Sequence, residues 1–204
     1  MPKKNFFHKI SDLSKIHHRA NFSDVEKHIS GLNFETHFAE LAAARYSCRA
    51  YSDRPVHPAM IEKILEAGRL APTAANRQPV HVWALCSDDA LARIREVHQA
   101  YGAPVVLMVG AKAADAWVRG CDGKNGAEVD AAIVMTHMML EATEQGLGNV
   151  WIGAFDPEKA AAAFPETAGY ALVGLMAVGY PAEGAAPSTN HSDRKSLPEF
   201  ATTL

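Results

Sequence analysis

The chain lacks most of the residue patterns that announce a chemistry. It has no GxSxG elbow and no HExxH pair, and no nucleophile stands beside an evident base, which sets aside the common hydrolase and zinc-protease designs. No run fits GxGxxG or a P-loop, so a dinucleotide-binding Rossmann sheet is not expected. The three cysteines, Cys48, Cys86 and Cys121, are an odd number without CxxC spacing. They read as small thiols in a reducing compartment rather than as a disulfide frame or metal centre. No stretch reaches the roughly 18 consecutive apolar residues of a membrane span, and the N-terminus lacks the apolar core of a secretory signal. The cytoplasm is the expected location. With 20 basic and 23 acidic residues in 204, no net charge points to nucleic acid or a membrane surface as partner.

What is present divides the chain in two. Residues 1–35 carry scattered Lys and His, with Ile10, Leu13 and Ile16 at three-residue steps. They are expected to form an N-terminal arm or leader of unassigned role. Residues 36–204 read as one domain. Phe38, Leu41 and Ala42 have helical spacing. Pro58 opens a helix running to Leu70, with proline at a tolerated first position. Val80–Cys86 reads as a strand, Asp88–Gln99 as a helix capped by Ser87 or Asp88, and Pro104–Gly110 as a doubly covered strand. Glu128–Gln145 is the longest helix, stopped by Gly146 or Gly148. Val150–Ile152, Pro157–Ala163 and Ala171–Val178 follow as strand, helix and strand, and a polar tail begins at Pro181. Helices and strands mix without a βαβ rhythm, which favours a layered sandwich over a doubly wound sheet.

The long helix is apolar almost all round, through Ala131, Ala132, Ile133, Val134, Met135, Met138, Met139, Leu140 and Ala142. Such a helix needs cover on every side, and a second subunit is the favoured source. His137, inside this run, is expected to be a hydrogen-bonded core residue rather than a ligand.

Three segments carry chemistry. In Arg45-Tyr46-Ser47-Cys48-Arg49, an extended backbone puts Arg45, Ser47 and Arg49 on one side, two guanidinium groups and a hydroxyl aimed at one spot. That set suits a phosphate dianion, although an exposed edge with alternating charge gives the same pattern. In Ala71–Pro79, small residues let backbone approach a flat ligand, with Thr73, Asn76 and Gln78 as polar contacts; a plain polar loop fits as well. In Gly146–Ala154, a Gly-bracketed strand can offer backbone N–H groups at Gly153 and Ala154.

In this order the three segments resemble the nitroreductase family of flavoenzymes. The family's Arg-Arg-Ser-x-Arg run stands here as Arg45–Arg49, and its Ala-Pro-Ser-x-x-Asn-x-Gln-Pro-Trp loop as residues 71–80. Asp130 near a helix start matches, as do Gly146 to Gly153, Gly179-Tyr180-Pro181 and the basic pair Arg194-Lys195. The resemblance implies an α+β fold, a three-layer sandwich around a mainly antiparallel sheet, in an interlocked homodimer with flavin sites at the interface. It implies FMN as cofactor and NADH or NADPH as electron donor, with hydride passed in ping-pong order to small nitroaromatic, quinone or similar acceptors. Arg45, Tyr46, Ser47, Arg49 and Arg194 would hold the phosphate, with Lys195 beside them. Pro72, Thr73, Ala74 and Asn76 would come from the partner subunit to line the flavin, with Gly153 and Ala154 at its N5 edge. No side chain is nominated as a general acid, because solvent supplies protons, and no metal is implied. Tyr46 and Val80 depart from the family's Arg and Trp and alter the walls of the site. Two alternatives keep the fold: a reductive dehalogenase or flavin-cleaving enzyme with a lid over residues 117–126 or the arm, and a non-catalytic flavin-binding redox module.

Overall fold

A computed structural model describes residues 38–204; the arm expected over residues 1–35 lies outside them. The centre is strand β2, Val105–Ala111, buried throughout, as its unbroken apolar run requires. β2 pairs antiparallel with β1, Val80–Leu85, on one side and with β4, Ala171–Gly179, on the other, and β4 carries β3, Gly148–Ile152. The order is β1-β2-β4-β3, every pair antiparallel.

Alternation along β2 sorts its side chains between two cores. Val105, Leu107 and Val109 join Met176 and Val178 of β4 under helices α2, Pro58–Arg69, and α4, Ala127–Glu144. Val106 and Met108 join Leu175 and Ala177 under α3, Asp88–Arg95, and α5, Pro157–Ala163. The result is the α+β three-layer sandwich. A short helix α1, Phe38–Ala44, precedes the Arg45 segment, and α6, Leu197–Phe200, lies in the tail, which reads as irregular in the sequence.

Local chemistry explains where the helices begin. Pro58 and Pro157 open α2 and α5; His57 Nδ1 accepts from the Ala59 amide, and Asp156 accepts from those of Glu158 and Lys159. Ser87 caps α3 by accepting from the Ala90 amide. Gly146, at φ 74°, stops α4. The helix expected to reach Gln99 ends at Arg95 instead. There the Val97 amide bonds tightly back to the Ile94 carbonyl, the Gln99 side chain takes the Arg95 carbonyl, and Ala100 and Tyr101 turn at φ 47° and 57°. β1 stops at Leu85 because Ser87 is already the cap of the next helix. Among the described residues no helix is long and apolar enough to cross a membrane.

Helix α4 corrects one expectation. Its inner face, including Ala131, Met135 and Met138, is fully buried, but Val129, Ala132, Ile133, Thr136 and His137 line an open groove of about 390 Å³. His137 is therefore half-buried on an open apolar strip and not in the core.

Candidate functional site

Residues 45–49 run extended beside the start of β3. Ser47 forms a parallel bridge with Asn149, and the Cys48 amide donates to the Asn149 carbonyl at 2.9 Å. Cys48 turns inward and is wholly buried, while Arg45, Ser47 and Arg49 turn the other way, as two-residue alternation demands. Together with Tyr46, Ser188, Asn190, His191 and Arg194 they line a cavity of about 150 Å³. The 3-10 turn Thr189–His191 brings the tail to this place, with the His191 ring 3.0 Å from the Ala43 carbonyl and edge-on to Tyr46.

The electrostatics of the cavity are one-sided. Among the described residues three arginines and no carboxylate line it, and none of the three is ion-paired with another described residue. Among the described residues Arg49 and Arg194 donate only to backbone carbonyls, those of Ser47 and of Asn190 and Asp193. Converging guanidinium groups repel one another unless an anion joins them. Burial, with the Cys48 thiol beside it, holds the Tyr46 phenol above its ordinary pKa and hence neutral. Burial does the same to Tyr51, whose hydroxyl donates to the Cys48 carbonyl at 2.9 Å and so braces the arm from behind.

Loop 71–79 lies elsewhere in the chain. Its Ala74 amide donates to Asp130 Oδ1 at 2.9 Å, and the Gln78 amide to Thr73 Oγ1 at 3.0 Å. Asp130 is in the first turn of α4, where the helix dipole favours its charge. It is 1% exposed, and its Oδ2 has no partner among the described residues. Ala75, Asn76 and Gln78 hold φ of 50°, 53° and 49°. Such conformations are costly for Ala and Gln and concentrate at binding sites. Thr73 and Gln78 border a mainly apolar pocket of about 340 Å³ shared with Leu65, Val80 and Val134.

The described chain thus gathers Arg45, Tyr46, Ser47, Arg49 and Arg194, and does not gather Pro72, Thr73, Ala74 and Asn76 with them. The loop is tied to α4 at Asp130, while β3 is tied to it at Met139 through Asn149; those anchors are ~14 Å apart along the helix at about 1.5 Å per residue. Gly153 and Ala154 are exposed just past the end of β3. Lys195 is exposed and does not line the arginine cavity. Sequence reasoning missed Asn190 and His191. Their signal is their place on the tail turn just ahead of Arg194.

The nitroreductase family model matches residues 42–100 and 95–180. The chain belongs to the nitroreductase family. A protein of Methanothermobacter thermautotrophicus, provisionally named NADH dehydrogenase/NAD(P)H nitroreductase, is 32% identical over 144 residues, 66% of this chain and 70% of that protein. The crystal structure of a nitroreductase family protein from Clostridium difficile superposes with a TM-score of 0.76 at 34% identity, covering 82% of this chain and 99% of that one. A Desulfovibrio desulfuricans protein, provisionally named a nitroreductase and solved in complex with FMN, gives 0.66 at 26% identity, over 83% and 98% of the two chains.

The residues present fit a phosphate monoester well. Ser47 and the arginines offer directional donors and compensating charge around a cavity that no acidic side chain of the described residues lines, the donor set that a dianion requires. Among the described residues no cluster has the make-up of a metal site.

Proposed function

We propose that this member of the family binds FMN and transfers hydride from NADH or NADPH to small nitroaromatic, quinone or similar acceptors. The observation that carries the reading is the set of three arginines, none ion-paired among the described residues, that line one cavity beside Ser47 with no carboxylate of the described residues. Arg45, Ser47, Arg49 and Arg194 hold the phosphate, with Tyr46 contributing backbone. Gly153 and Ala154, exposed at the end of β3, present backbone N–H groups to the flavin edge, where fixed donors favour developing negative charge. FMN supplies the hydride-accepting and hydride-donating chemistry when bound. Nicotinamide and acceptor occupy the same place in turn, the geometry of a ping-pong order. Initial rates at several fixed acceptor concentrations are therefore expected to give parallel double-reciprocal lines against NADH. Intersecting lines would require both substrates to bind at once and would contradict a shared place.

The homodimer belongs to the same proposal. Pro72, Thr73, Ala74 and Asn76 reach the flavin from the partner subunit, which accounts for their distance from the arginine cavity of their own chain. The open strip of α4, with Val129 52% exposed and Ile133 half-buried, supplies an apolar face for the second copy. Ile133→Lys places a charge in that contact. Light scattering is expected to find a monomer at micromolar concentration, and the same sample to have lost bound FMN. An Ile133→Lys dimer with full flavin content would place the interface elsewhere.

A further inference from the structure

We infer that Asn149 is a positioning residue for phosphate recognition: it couples the Arg45–Arg49 arm, through its backbone, to the C-terminal part of α4, through its side chain. The inference rests on the FMN reading above and identifies what holds the phosphate arm in place.

Asn149 is a polar side chain in an apolar place, 1% exposed. Its backbone carbonyl accepts from the Cys48 amide at 2.9 Å, and its backbone bridges Ser47. Its Nδ2 donates to the Met139 carbonyl and to Thr143 Oγ1, each at 3.0 Å, and the Thr143 hydroxyl donates to the same Met139 carbonyl at 2.9 Å. These bonds close a triangle across the end of the long helix. The Oδ1 atom has no partner among the described residues, a desolvation cost that an apolar side chain of similar size would escape. The amide is useful here through its two donor bonds, which tie to α4 the residue whose backbone carbonyl holds the arm.

The arm is also held at its ends, where the Arg45 amide donates to the Leu41 carbonyl and the Ala182 amide to the Ala50 carbonyl. Beyond Asn149, Cys48 packs against Gly148 and accepts the Tyr51 hydroxyl at its carbonyl. Tyr46 lines both the arginine cavity and a second cavity of about 160 Å³ bordered by Thr143 and Asn149, so movement of Asn149 reaches the arginine cavity through Tyr46 as well. All of β3 pairs with β4, Asn149 with Val178 as well as Ile152 with Leu175, and Asn149 adds to that ladder a side-chain tie to α4 beside the arm, three residues from the strand's far end. Loss of the Asn149 side-chain bonds should therefore loosen the phosphate end of the site and leave the Gly153–Ala154 end in place.

The test compares FMN with riboflavin, which lacks the phosphate, by fluorescence titration of the flavin-stripped protein. Asn149→Leu keeps the branched shape and removes the donor bonds; it is expected to raise the Kd for FMN about tenfold or more while changing that for riboflavin by less than about twofold. Thr143→Val removes one corner of the triangle from a half-buried position and is expected to shift the same ratio in the same direction, by about threefold. It carries the test if Asn149→Leu does not fold. Equal weakening of both flavins, or no change in either, would overturn the positioning role while leaving the flavin site intact. Wild-type protein that binds neither flavin would overturn the FMN reading itself.

Discussion

Replacing Arg45 and Ser47 together by alanine is expected to weaken FMN binding roughly 30- to 2,000-fold. The range follows from the bonds removed: about 1.5–3 kcal/mol for a charged donor and about 0.5–1.5 kcal/mol for a neutral hydroxyl. Neither side chain supports the fold. Arg45 makes no ion pair within the described residues, and Ser47 joins β3 through its backbone, so circular dichroism should be unchanged. Riboflavin affinity should move little, because on the proposed reading the lost donors face the phosphate alone. Undiminished FMN affinity in the double variant would sink the phosphate assignment. Riboflavin weakened as much as FMN would mean that the arm touches the ring or ribityl chain instead.

The second large effect is expected at Gly148, where the arm meets the sheet. A Cβ there would stand 2.7 Å from Cys48 Sγ, 2.8 Å from Cys48 Cβ and 3.2 Å from Pro181 Cγ. Cys48 is fully buried and its backbone is bonded to Asn149, so neither side can yield without moving the arm. Gly148→Ala should cost about 1–3 kcal/mol of stability, the usual range for overpacking, seen as a fall of several degrees in Tm. It should also weaken FMN more than riboflavin, because the segment displaced carries Arg45, Ser47 and Arg49. Cys48→Ala in the same chain removes the sulfur contact but leaves the close Cβ pair; Cys48→Gly removes both. Partial recovery in Gly148→Ala/Cys48→Gly, and less in Gly148→Ala/Cys48→Ala, would locate the strain at this contact. A neutral Gly148→Ala variant would show that the arm is free to shift.

These residues also mark what the sequence makes legible. β2 was readable because a strand buried on both faces must be apolar throughout, and α5 because proline at its first position suits a helix start. The convergence of Arg45, Ser47 and Arg49 followed from strand periodicity alone. His191 was not readable, since only the fold of the tail brings it to an arm more than a hundred residues earlier. Asn149 looked like one polar residue in a Gly-bracketed strand; its role depends on facing α4 as well as the arm. Asp130 matched a family pattern, but its bond to the Ala74 amide joins residues 56 positions apart, which no local pattern encodes. The end of α3 at Arg95 likewise hinged on Ala100 and Tyr101 taking left-handed conformations that neither residue type advertises. Helix α4 gave a half-answer: its all-round apolarity announced a need for cover, and the described residues leave the Val129–Ile133 strip open.

The most direct measurement is the visible absorbance spectrum of FMN-reconstituted protein, recorded anaerobically before and after addition of NADH and then NADPH. The expected result is a bound-flavin band that bleaches with at least one nicotinamide and returns when a quinone or nitroaromatic is added. A protein that stays colourless after incubation with FMN, or a flavin band that neither nicotinamide bleaches, would contradict the proposed oxidoreductase.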